Sequence, residues 1–194
     1  MTRRINAPLL ALIARRQRYQ HILPFLHGHV LDVGCGGGLL AGYLPAGTTY
    51  SGIDTNPQVL AWARKHHPPG QFYQLDLEQQ ALPPAITQQR FDTVVAIALL
   101  EHLAQPQHLV VQLRQVLAPA GRLVVTTPTP IGHRVHALLT RPGWFYRDAA
   151  EEHQSVLDAR SLQTMACAAG LRMIHYRRFA LGCNQCMVVV PATG

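Results

Sequence analysis

The sequence predicts a single α/β domain on a doubly wound, mostly parallel sheet, and three observations carry that prediction. The stretch VLDVGCGGG, Val30 to Gly38, runs from an apolar segment into four glycines within five residues. A buried strand reads this way when it ends in a tight turn that lets a ligand approach the backbone. Strand patterns then alternate with helix patterns five times, as parallel strands joined by crossover helices do. Two last strand patterns lie close enough in sequence to form an antiparallel hairpin, which brings the sheet to seven strands.

Residues 6–26 place Leu9, Leu12, Ile13 and Ile22 at helical spacing with Arg15, Arg16 and Arg18 opposite, an amphipathic helix that packs on the domain or shields its ligand site. Val30 to Gly34 is the first strand. Leu39, Leu40 and Leu44 after it suggest a helix whose N-terminus faces the ligand. TTYSGIDTN gives a second strand ending in Asp54, and Asn56-Pro57 starts a helix that runs out at His66-His67-Pro68-Pro69. QFYQLDLE is a third strand ending at Asp76, followed by loop or short helix over Ala81 to Arg90. FDTVVAIALLEHL begins apolar on both faces, as a central parallel strand should be. Pro106 to Leu117 is helical, Ala118 to Gly121 ends it, and RLVVTTPTP is a fifth strand stopped by Pro128 and Pro130. Residues 131–152 interrupt the alternation as a lid-like insertion. Ala159 to Ala169 is a helix capped by Gly170, and LRMIHYRRFAL and CMVVV form the hairpin. With no repeat, low-complexity tract or linker, residues 1–194 read as one domain.

Composition narrows the classes. The chain is 48% hydrophobic and 14% charged, which is globular rather than disordered. A net charge of +7 favours anionic partners without choosing among them, and no block of five or six basic residues suggests a nucleic-acid arm. The four cysteines make no disulfide framework; Cys183 and Cys186 lack a second pair for zinc, and a reduced, cytoplasmic setting is expected. No apolar run reaches membrane-spanning length, and the N-terminus has no cleavable signal pattern.

Two cofactors compete for the glycines. Gly36 to Ala41 fits a G-x-G-x-x-A dinucleotide pattern, with Asp54 placed for a ribose. A short-chain reductase would also want Tyr-x-x-x-Lys, and the one lysine, Lys65, has no tyrosine four residues before it. The acid ahead of the glycines decides otherwise. Asp32-x-Gly34-x-Gly36-x-Gly38 resembles motif I of the class I S-adenosylmethionine-dependent methyltransferases. GIDTN, FYQLDLE, FDTVVAIALLEHL and LAPAGRLVVTTP resemble their next four motifs in the right order. The resemblance implies a Rossmann-like fold and S-adenosylmethionine as cofactor. It lays the backbone of Gly34, Cys35, Gly36 and Gly38 along the methionine moiety, with Asp32 near its amino end. It puts Asp54 and Thr55 at the ribose, Asp76 and Leu77 at the adenine edge, and Ile97 and Ala98 beneath the sulfonium.

The end of the fourth strand bears on the acceptor. Enzymes of this family that methylate base amino groups carry an Asn/Asp-Pro-Pro-aromatic tetrapeptide there; here it is Ala96-Ile97-Ala98-Leu99, which disfavours nucleic acid. Leu100-Glu101-His102-Leu103 resembles the small-molecule branch, including ubiquinone-biosynthesis O-methyltransferases. That branch can hold a divalent metal here, but the acid expected three positions before Glu101 is Ala98, so no metal is predicted. The expectation is methyl transfer to a small molecule, most favourably at oxygen. An RNA methyltransferase acting on ribose or a ring carbon, and a cofactor-binding partner protein without catalysis, are the alternatives. Glu101, His102 and His153 are the candidate catalytic groups, since a histidine titrates near operating pH. The insertion offers Trp144, Phe145 and Tyr146, with His133 before them, as an acceptor wall.

Overall fold

The computed structural model describes residues 9–140 and 155–192. Its strands are β1 (His29–Val33), β2 (Thr49–Asp54), β3 (Gln71–Gln74), β4 (Phe91–Ile97), β5 (Leu117–Pro128), β6 (Leu171–Phe179) and β7 (Asn184–Pro191). They form one sheet in the order β3-β2-β1-β4-β5-β7-β6. The first five are parallel, and β7 runs antiparallel between β5 and β6. The doubly wound, mostly parallel seven-stranded sheet with a C-terminal hairpin is therefore the observed architecture.

Alternate residues of the central strands build two cores. Leu31, Val33, Val94, Ala96, Leu123 and Val125 pack against α3 (Pro84–Thr87), α4 (Pro106–Val116) and α6 (Ala159–Ala168). Val30, Tyr50, Val95, Val124 and Val188 face α1 (Leu9–Ile22) and α2 (Pro57–His66) on the other side. Burying each such Val or Leu is worth about 1.5–3 kcal/mol, which is why strands apolar on both faces occupy the centre. Local chemistry sets the helix ends. The Asn56 side chain accepts from the Gln58 and Val59 amides at the start of α2, and Asp158 accepts from Ser161 at the start of α6.

Several expectations need correcting. The segment after the glycines is a five-residue 3-10 turn, Leu39–Tyr43, rather than a helix, because Gly42 and Pro45 leave no room to propagate one. The third strand stops at Gln74, not Asp76. The Asp76 carboxylate accepts from the Glu78 amide, a local turn bond that competes with the sheet ladder. The N-terminal helix does not bury its whole apolar stripe: Ile22 is fully buried, but Leu12 and Ile13 are 39% and 45% exposed. It spans Leu9–Ile22 and tightens into a 3-10 turn at Leu23–Phe25. Of the insertion, the first part is a helix, α5 (Pro130–Thr140). Among the described residues, no helix is long and apolar enough to cross a membrane.

Candidate functional site

The site forms where strand order reverses, at the carboxyl ends of β1, β2 and β4. The turn after β1 is tied down from one side, since the Gly34 and Cys35 amides both donate to the Ile53 carbonyl at 2.9 Å. The Asp54 carboxylate ties it from the other: Oδ2 accepts from the Gly36 amide at 2.8 Å and Oδ1 from the Asn56 amide at 2.9 Å. Asp54 is thereby fixed at the lip of the glycine turn.

The glycines do different jobs. Gly38 (φ 68°) lies against β3, where a Cβ would come within 2.8 Å of the Phe72 ring, so it must be glycine for packing. Gly36 (φ 54°) has nothing within 4 Å of a Cβ position. The space above it is open, and the backbone there can meet a ligand directly. Cys35 differs from its neighbours. It is the one residue from Gly34 to Gly38 with a side chain, and a Cβ at Gly52 would come within 2.7 Å of its sulfur, so the thiol points under the turn; burial pushes its pKa upward.

Below the turn lies Asp32, 4% exposed, with Oδ2 accepting from the Tyr50 hydroxyl at 2.7 Å. Burial raises its pKa to about 7, opposed by the Tyr50 bond and reinforced by Asp54. Because the folded state holds this proton between pH 3.8 and about 7 while the unfolded chain has released it, stability falls as pH rises through that window. Asp32→Asn keeps an acceptor for Tyr50 and removes the titration. The wild-type stability minus that of the variant is expected to decline by up to about 1.4 kcal/mol per pH unit there, measured by urea denaturation. A flat difference would mean that Asp32 is ionised when folded.

The end of β4 supplies the other wall. Ile97 and Ala98 are half-buried, and Ala98 adopts a left-handed φ of 50° with its amide donating to the Thr126 carbonyl at 2.8 Å. The following 3-10 turn, Leu100–His102, carries Glu101 and His102. Glu101 is 2% exposed, and its Oε2 has no hydrogen-bond partner among the described residues. Burial raises its pKa to about 7, with its own backbone and the Arg18 guanidinium pulling it back. Arg18 comes from α1, and its Nε is likewise buried without a partner. Two opposite charges with unsatisfied atoms thus face the same wall, although helical spacing alone puts Arg18 on an outer face. Nothing in the sequence pairs these two residues; only the path of α1 across the strand ends does.

Asp76 is half-buried beside β2, with the Leu77 side chain in the core, and Thr55 is exposed at the tip of β2. His133 lies in the first turn of α5, its amide bonded to the Thr129 carbonyl. The segment after the insertion returns to the same wall, the Ser155 amide donating to the Glu101 carbonyl at 3.1 Å. Trp144, Phe145, Tyr146 and His153 lie outside the described residues. Among those described, no group of three or more His, Cys, Asp or Glu could hold a metal ion.

A family model described as a methyltransferase domain matches residues 3–176. The chain belongs to that methyltransferase family. Its cofactor is S-adenosylmethionine, and the open backbone over Gly36 beside a fixed strand-end carboxylate fits such a group. A Coxiella burnetii protein named ubiquinone biosynthesis O-methyltransferase is 35% identical over 103 residues, covering 51% of this chain and 43% of that one. The methyltransferase domain thus aligns with about half the length of the curated relatives it matches. Among solved structures, a chain from the complex of the Haloferax volcanii Trm112 methyltransferase activator with a methyltransferase superposes with a TM-score of 0.76. It is 15% identical and covers 95% of this chain and 93% of its own. The glycopeptide N-methyltransferase MtfA complexed with S-adenosylmethionine gives 0.68 at 16% identity, covering 92% and 87%. These likenesses bear on the fold.

Proposed function

We propose that the protein transfers a methyl group from S-adenosylmethionine to a hydroxyl oxygen of a small molecule. The observation that carries this reading is Glu101: a buried carboxylate with an oxygen that has no hydrogen-bond partner among the described residues, on the turn that follows β4. The name of the curated relatives supports oxygen as the acceptor atom.

In this reading the Gly34–Gly38 backbone and Arg18 hold the methionine end, the guanidinium facing its carboxylate. Asp32 supports the turn from beneath. Asp54 accepts the ribose hydroxyls with the lone pairs its two backbone bonds leave free, Thr55 flanks them, and Asp76 and the Leu77 backbone meet the adenine edge. Ile97 and Ala98 form the floor beneath the reacting centre. Bound cofactor supplies an electrophilic methyl on sulfur, and alignment of the acceptor oxygen with that bond provides much of the rate. Glu101, titrating near neutrality, takes the acceptor proton at Oε2, and His102 on the same turn flanks the oxygen.

The test is a panel of hydroxylated small molecules, with amines and RNA as comparison acceptors, assayed by release of S-adenosylhomocysteine. Turnover confined to hydroxyl acceptors is expected. Turnover only with amines or RNA sinks the proposal.

A further inference from the structure

Among the described residues, α1, the start of α5 and the β6–β7 turn lie along the carboxyl edge of the sheet. The turn is fastened to that edge, since the Thr129 hydroxyl donates to the Gly182 carbonyl at 2.6 Å and the Thr129 amide to the Cys183 carbonyl at 2.9 Å. The His21 ring of α1 lies 4.3 Å from the Phe179 ring, which leads into the same turn.

This border has an unusual surface. Residues 9–22, 130–140 and 177–187 contain no Asp or Glu, and they expose Arg16, Arg134 and Arg177, while Arg178 faces the other side of the sheet beside Asp158. The same elements expose Leu12, Ile13 and Ile131, the last at 57%, and Leu181 is fully exposed. Leu181 also has a left-handed φ of 55°, between Ala180 at 52° and Gly182 at 83°. Leucine is a poor choice for that conformation, and in water its side chain stabilises nothing inside the fold. Its place at the tip of an anchored turn makes sense if it leaves water against something outside the protein.

A nucleic acid would reward the arginines and leave Leu181 and Ile131 wet. An anionic bilayer rewards both: the arginines meet headgroup phosphates while the apolar tips enter the boundary with the acyl chains. We propose that this border docks on an anionic membrane surface, with Leu181 as its inserting tip. The chain then lies on a bilayer rather than spanning it. The inference stands independently of the acceptor.

Co-sedimentation of the full chain with vesicles tests it. Binding is expected to vesicles of equal parts phosphatidylglycerol and phosphatidylcholine, and not to phosphatidylcholine alone. Leu181→Asn suits the left-handed turn, so it should fold with unchanged affinity for S-adenosylhomocysteine. It should lower vesicle partitioning about ten-fold, the scale of one leucine removed from an apolar environment. Arg177→Gln should lower it about five-fold, as one surface cation does. Absence of sedimentation overturns the proposal. So does binding that Leu181→Asn leaves unchanged, or RNA retained as tightly as anionic vesicles.

Discussion

Asp54→Ala is expected to weaken S-adenosylhomocysteine binding by about 3 kcal/mol, roughly 150-fold, when measured by calorimetry. The proposed ribose contact accounts for about 1.5–3 kcal/mol of charged hydrogen bonding on its own. The structure adds a second loss. The same carboxylate accepts from the Gly36 and Asn56 amides, so its removal also frees the glycine turn that must lie against the ligand. Asp54→Asn separates the two contributions, since an amide oxygen can keep one backbone bond while the carboxylate's charge is gone. It should fall between wild type and alanine. Unchanged affinity in Asp54→Ala would remove Asp54 from the cofactor site.

Glu101→Gln is expected to lower kcat about 100-fold while leaving S-adenosylhomocysteine affinity within about three-fold, the range in which a positioned general base acts. Glutamine is close in shape and keeps the turn, so a merely structural Glu101 would survive the change with kcat nearly intact. The pH profile gives a second reading. A base must be ionised to act, so wild-type kcat/KM should rise as pH passes through about 7, where burial has pushed this carboxyl. That rise should vanish in the variant. Persistence of the same limb would assign it to another group.

What the chain makes legible divides along physical lines. Strands β1, β4 and β5 can be read because burial on both faces demands near-continuous apolar runs, and Asp54 because an acid closing such a run is conspicuous. The 3-10 turn at Leu39–Tyr43 escapes such a reading because leucine spacing is identical at the start of a long helix and of one that Gly42 and Pro45 cut short. The exposure of Leu12 and Ile13 escapes it for a related reason: helical periodicity shows which side is apolar, not what covers it. The Arg18–Glu101 approach and the Tyr50–Asp32 bond depend on tertiary path alone. Sequence spacing carries no trace of either.

The position of β7 has a consequence for how the molecule is made. β5 and β6 have no hydrogen bonds to each other; each pairs with β7, which is synthesised after both. During vectorial synthesis the ladder edge of β5 therefore stays unpaired, and β6 has no sheet to join, until residues 184–191 emerge. Val188 and Val189, both fully buried once in place, close the two cores together at that last moment. A nascent chain stalled before them presents an open strand edge and an uncovered apolar face, the species that aggregates or recruits a chaperone.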